Sequence, residues 1–209
     1  MKNLLIFVVM PALIVILVYF LVSGIAEPVR FEQAREYRYG KIVERLKDIR
    51  DVEVAYKSRY GKFTGSFDSL INFYNKGDIK ILRQTGSMDD SLAVAQKLIK
   101  RDTVTVPVRN NIKLRSINGI FADSLRYVPV VGGEFELRAV MKKVSGLNVP
   151  LFEARVSNDV ILEGLNRQLV VNINHDIEEI NKNLSNVQRY SGLKVGSIDQ
   201  PNNNAGNWE

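Results

Sequence analysis

LLIFVVMPALIVILVYFLVSGIA, residues 4–26, contains no charged side chain, and the chain that follows it reads as water-soluble. A helix rises about 1.5 Å per residue, so this run is long enough to cross the roughly 30 Å hydrocarbon core of a bilayer. Two readings compete for it. Lys2 supplies the basic start of a secretory signal, and Gly24-Ile25-Ala26 resembles a small-residue cleavage site before Glu27. The apolar run, however, exceeds the usual signal length. Pro11 lies inside it, and membrane helices tolerate proline. Tyr19 and Phe20 stand toward its far end, where aromatic side chains anchor at the interface. An uncleaved anchor over residues 1–26 is the expectation, with a cleaved signal as the alternative. Charge leaves the orientation open. Arg30, Arg35, Arg38 and Lys41 follow the run, which by the positive-inside rule places the remainder in the cytoplasm. A two-residue leader before a long apolar run equally fits a signal-anchor.

Working outward, Glu27-Pro28 is expected to end the span, and residues 31–60 read as one amphipathic helix. Tyr39, Ile42, Leu46, Ile49, Val52 and Tyr56 recur at spacings of three or four, with Arg38, Lys41, Arg45, Asp48 and Asp51 assigned to the opposite face. Residues 27–62 form a stalk and packing helix in this reading, and residues 63–209 a globular domain. Tyr60-Gly61-Lys62-Phe63-Thr64-Gly65 is a loop whose two aromatics turn inward. Ser66 caps a short helix over residues 67–74. Residues 79–82 and 103–106 read as strands, and residues 91–100 as a helix. The second half is richer in strand: residues 125–131, 134–140 and 150–156, with turns at Gly132-Gly133 and Ser145-Gly146. Residues 168–173 are assigned to an extension of the sheet, residues 176–184 to a helix, residues 192–198 to a last short strand, and residues 199–209 to a polar loop. The fold class is α+β: an N-terminal transmembrane helix continuing into an amphipathic helix packed on a small antiparallel sheet.

Composition excludes several kinds of chemistry. The chain has no cysteine, so disulfides, thiolate metal sites and cysteine nucleophiles are absent. His175 is the single histidine; with Glu179 it makes only two potential ligands, which is a helix surface rather than a metal site. Gly61-Lys62 lacks the rest of a phosphate-binding loop. Asp89 and Asp90 are adjacent and fit a helix start. No catalytic residue, cofactor site or metal site is assigned. The net charge of +6 is uneven: residues 76–116 hold nine Lys/Arg against four Asp, and residues 117–209 hold nine against eleven Asp/Glu. A basic segment of that kind meets an acidic partner, anionic headgroups or water. No nucleic-acid module accompanies it, so no nucleic-acid partner is expected. Asp199, Asn202, Asn203, Asn204 and Glu209 are oxygen donors of the type calcium prefers, without the spacing of a calcium loop. Trp208, the only tryptophan, either ties the tail to the domain or offers a docking site. Tyr39, Ile42, Leu46, Ile49 and Trp208 are the candidate partner contacts.

The stretch Ile49-Arg50-Asp51-Val52-Glu53-Val54-Ala55-Tyr56-Lys57-Ser58-Arg59-Tyr60-Gly61-Lys62-Phe63-Thr64 resembles the end of the long N-terminal helix of type IV pilins and type II secretion pseudopilins. In that family a helix gives way to a loop, and a small antiparallel sheet packs on it. The chain also resembles single-pass membrane proteins of Bacteroidota in its Tyr-Gly-Lys-Phe-Thr loop, in Asp123-Ser124-Leu125-Arg126-Tyr127-Val128-Pro129, and in its Gly192-Leu193-Lys194-Val195-Gly196 and Gly206-Asn207-Trp208-Glu209 ending. This second resemblance implies no activity. No Gly-Phe pair precedes the span and no acidic residue occurs before Glu27, so neither prepilin processing nor assembly into a pilus fibre is expected. The resemblance implies a periplasmic domain on the bacterial inner membrane. The expected function is that of a non-enzymatic structural or assembly component of an envelope machine, of secretion or pilus type. Its partners are the lipid bilayer and other envelope proteins or further copies of itself. The alternative is a ligand-binding module whose basic segment, residues 76–115, meets an anionic polymer or lipid headgroups.

Overall fold

The computed structural model describes residues 9–85, 100–117, 119–184 and 188–209. Its axis is one helix, α1 (Met10–Tyr60), running unbroken from the apolar segment into the domain. Glu27-Pro28, the expected end of the span, is thus no break in the helix, in keeping with the expected continuation of the apolar helix into the amphipathic one. Pro28 removes one backbone donor but leaves the helix continuous, as interfacial and membrane helices permit. Gly61, at φ 74°, stops α1 and donates its N–H to the Lys57 carbonyl.

Helix α2 (Phe67–Lys76) packs Leu70, Ile71, Phe73 and Tyr74 into the core. Ser66 stands at its N-terminus without a side-chain capping bond; its own N–H donates to the Thr64 hydroxyl instead. Strands β1 (Asp78–Thr85) and β2 (Lys100–Pro107) pair antiparallel as a two-stranded ribbon. The helix assigned to residues 91–100 lies outside the described residues, apart from Lys100, which is in β2. A single turn, α3 (Val108–Asn111), follows.

Residues 125–131 are not a strand. Gly119–Arg126 forms two 3-10 turns across a kink at Phe121. The chain then makes a tight loop, in which Val128 and Gly132–Gly133 bond to each other and Val130 takes φ 74°. Pro129 breaks any ladder there. Only a bridge between Tyr127 and Glu134 survives of the expected pairing.

A three-stranded antiparallel sheet in the order β3-β4-β5 follows, from β3 (Glu136–Val144), β4 (Leu147–Ser157) and β5 (Gly192–Gly196). Ser145 and Gly146, both at positive φ, are the two-residue turn between β3 and β4, whose twist matches that of the strands. Between β4 and β5 lie a single turn, α4 (Asn158–Ile161), and α5 (Arg167–Asn183). The extension of the sheet assigned to residues 168–173 is thus the first half of a helix. The Asn166 side chain accepts hydrogen bonds from the Gln168 and Leu169 N–H groups, and this cap outweighs the β-branched Val170 and Val171. The architecture is α+β, a long apolar-headed helix with small antiparallel sheets.

Phe152, Ala154, Val156, Leu193 and Val195 of the sheet share one core with Ile42, Leu46, Ile49 and Val52 of α1, and β5 is the strand that runs against the helix. Phe31 is already buried, only five residues past Ala26. The first turns after the apolar run are therefore packed, and no free stalk separates run from domain.

Candidate functional site

The face of α1 that enters the domain is not purely apolar. Asp48 is 1% exposed and accepts four hydrogen bonds: two on separate oxygens from the Arg115 N–H (2.9 and 3.0 Å), one from the Ser116 N–H (2.8 Å) and one from the Ser116 hydroxyl (2.6 Å). One turn earlier, Arg45 donates to the Ser116 hydroxyl (2.7 Å) and to the carbonyls of Ser124 and Tyr127. Burial pushes the Arg45 guanidinium below its usual range, and the neighbouring Asp48 charge offsets part of that. Together they pin Arg115, Ser116, Ser124 and Tyr127 to the helix, as buried charges must be paired and bonded. The sequence pattern assigned both to solvent.

Glu53 is fully buried. One oxygen accepts from the Thr64 N–H (3.1 Å) and the other has no partner. Desolvation lifts its carboxyl to about 8, against the smaller opposing effect of the Thr64 bond. The neutral acid is therefore the resident form at neutral pH, and it holds the loop after α1. Within that loop Phe63 turns inward onto Phe152, with ring centroids 4.7 Å apart, whereas Tyr60 stays half in solvent against Tyr56 and Phe73.

The five candidate partner contacts separate. Ile42, Leu46 and Ile49 have no exposed surface, so they build this chain's own core and are closed to a partner. Their spacing reported a core stripe. Tyr39 and Trp208 are half-buried and come together in one groove of about 600 Å³, with Asn158, Ile177, Tyr190 and Leu193. The Tyr39 hydroxyl donates to Asn158 (2.5 Å), and Asn158 donates to Asn174 (2.9 Å). Trp208 reaches this place because the tail is ordered. The Gly206 backbone bridges to Val195, and Asn207 exchanges bonds with Lys194 and donates its side-chain amide to the Gly192 carbonyl. The loop reading of residues 199–209 thus missed an extra backbone edge on β5.

The basic segment also resolves into geometry. Lys80, Lys113 and Arg115 border a groove of about 650 Å³ with Arg50 and Asp51 of α1 and with Asn203 and Asn204 of the tail. Val54, Ala55, Ile79 and Ile112 give it an apolar wall. Arg115 pairs with Asp51 (3.1 Å), and Arg50 with Glu209 (2.7 Å), which holds the Glu209 carboxyl below its ordinary range. Lys80 and Lys113 make no ion pair among the described residues. The Asn-rich tail therefore sits among cations, which opposes a metal ion there. No group of three His, Asp or Glu side chains suited to a metal occurs among the described residues. His175 and Glu179 are exposed and 3.9 Å apart on α5. A second polar cleft, against the outer face of β4, is internally matched: Arg155 and Lys194 both contact buried Glu153, and Arg155 also binds Glu136.

The apolar part of α1 remains bare. Residues from Leu13 to Leu21 expose half or more of their surface, and the helix is long and apolar enough to cross a membrane. No family model, curated protein or solved structure matches the chain.

Proposed function

We propose that this protein is a membrane-anchored, non-enzymatic scaffold of the bacterial envelope. In this reading a single span of the inner membrane holds a pilin-like α+β domain on the periplasmic side, for other envelope proteins of a secretion or pilus-type machine. The observation that carries it is the continuity of α1 from the bare apolar segment into the core, with packing from Phe31 onward. A domain joined in this way cannot swing on a linker, which suits positioning rather than capture. Polar clusters in the core are spent on holding backbone, which favours a structural role over catalysis. The test is crosslinking of native membranes, purification in mild detergent and mass spectrometry of the partners. Components of a secretion or pilus machine support the reading. Recovery of the protein alone, or labelling of single cysteines in residues 28–209 from the cytoplasmic side, overturns it.

The cationic groove favours a second reading, a site for an anionic polymer. At about 1.5 Å per residue Arg50 stands roughly 36 Å beyond Ala26, out of reach of the headgroups of the anchoring bilayer. A soluble or wall-bound polyanion is therefore the better ligand class than lipid. Binding of polyphosphate that is insensitive to salt, or absent, removes this reading.

A further inference from the structure

The end of the domain nearest the apolar run has a definite shape. Arg38 donates to the carbonyls of Ile161 (2.9 Å) and Glu163 (2.8 Å), and Asn166 donates to Glu27. Helix α5 then rises alongside α1, because Asn174 meets Asn158, which meets Tyr39. The turn between α4 and α5 thus descends from the level of Arg38 at Glu163 to that of Glu27 at Asn166, and residues 164–166 with the first residues of α5 are the part of this end nearest the apolar run. Glu27 lies one residue past the last apolar one, about 1.5 Å along the helix. The headgroup layer is about 5–8 Å deep on each side of the hydrocarbon. Whatever touches Glu27 therefore lies within that layer when residues 4–26 span the bilayer. On this end Arg30, Arg167 and Gln168 are exposed, and Val29 and Val171 show nearly half their surface. A mixture of cations and modest apolar surface suits lipid phosphates and the top of the acyl region.

We propose that residues 164–168 form a second membrane contact, seated in the headgroup layer of the leaflet from which α1 emerges, with Arg30 and Arg167 facing lipid phosphates. The inference rests on α1 being a membrane anchor. It adds that the domain sits flush on the bilayer in one orientation, with α5 upright beside α1. The hairpin end at Leu147 then points away. Asn158, just past the end of β4, meets Tyr39, and Phe152 of that strand packs on Phe63 in the loop that folds back onto Glu53, so β4 runs toward the membrane from Leu147 and its hairpin end lies several tens of ångströms away.

The chain lacks cysteine, so single-cysteine labels report single positions. The full-length protein is reconstituted in vesicles of phosphatidylethanolamine and phosphatidylglycerol and labelled with a fluorophore at Gln168→Cys, Leu147→Cys or Leu13→Cys. All three sites are exposed, so the fold tolerates the label. Nitroxides are placed either on lipid headgroups or at mid-chain. The expected result is strong headgroup quenching at 168, several-fold above that at 147, and mid-chain quenching at 13. Quenching at 168 no greater than at 147, with 13 still quenched, overturns the seat while leaving the anchor in place. Loss of mid-chain quenching at 13 removes the anchor and the seat with it. Arg30→Glu combined with Arg167→Glu is expected to lower quenching at 168, and unchanged quenching overturns the phosphate contact.

Discussion

Glu53 is the side chain whose ionisation the fold opposes most. The folded protein keeps its proton up to about pH 8, whereas the unfolded chain releases it near 4.5. The native state therefore binds more protons between these values, so stability falls as pH rises through that window and levels off above it. The fall is several kcal/mol at most, given about 1.4 kcal/mol for each pH unit of separation. Glu53→Gln removes the charge and keeps the shape. Its thermal midpoint is expected to exceed that of the wild type at pH 8 and to lose the decline between 4.5 and 8; a parallel decline in the variant sinks the assignment. Asp48 has a different part, since its carboxylate holds the backbone of Arg115 and Ser116 against α1. Asp48→Ala leaves the Arg115 and Ser116 amides and the Ser116 hydroxyl short of an acceptor and removes the anion beside Arg45, at a cost of about 3 kcal/mol in denaturant unfolding. A loss under about 1 kcal/mol contradicts the clamp. One of these two residues was readable in the sequence. At 100° per residue Glu53 falls about 20° from Ile42 on the helical wheel, in the middle of the apolar stripe. Asp48 lies on its margin, about 40° beyond Val52, and only the backbone it binds, far along the chain, shows that it is inside; Arg45 falls within the stripe, between Val52 and Tyr56, and its charge rather than its position assigned it to solvent.

At the scale of elements, local patterning was legible wherever a periodic run ended in a turn of known chemistry. The Ser145-Gly146 hairpin, the glycine stop of α1 and strand β5 all follow from a few neighbouring residues. The failures share a cause: distant contacts decided them. Residues 125–131 have strand-like composition, but Arg45 takes the Ser124 and Tyr127 carbonyls, and the chain folds tightly at Pro129 instead. Residues 168–173 have β-branched composition, but the Asn166 cap and the apolar positions Leu169, Val170, Ile173, Ile177 and Ile180 make a helix. The tail was read as loop because its ordering depends on β5. Gly206 is its weak point. A methyl group there meets the Trp208 ring at 2.4–2.5 Å, so the ring must leave its place. Gly206→Ala is expected to red-shift the emission of this single tryptophan and to loosen the tail, with the rest of the fold intact by circular dichroism. Unchanged emission means that the ring has room to yield.

For the whole molecule, the long helix fixes distances from the bilayer, and distance separates the two charged surfaces. The membrane-proximal end and the cationic groove lie tens of ångströms apart along α1, far more than the roughly 8–10 Å over which salt lets exposed charges act. They therefore respond to different ligands and are separately removable. Lys80 and Lys113 are exposed and make no ion pair among the described residues, so replacing both with glutamate costs little in folding, within about 1 kcal/mol. The same change reverses the sign of the groove's two free charges. Lys80→Glu with Lys113→Glu is expected to abolish polyphosphate binding, measured by titration at increasing salt, and to leave headgroup quenching at position 168 as it was. Retained binding would place the polyanion elsewhere on the domain. A fall in both signals would mean that the domain's orientation on the membrane depends on the groove, against the rigid coupling that α1 imposes.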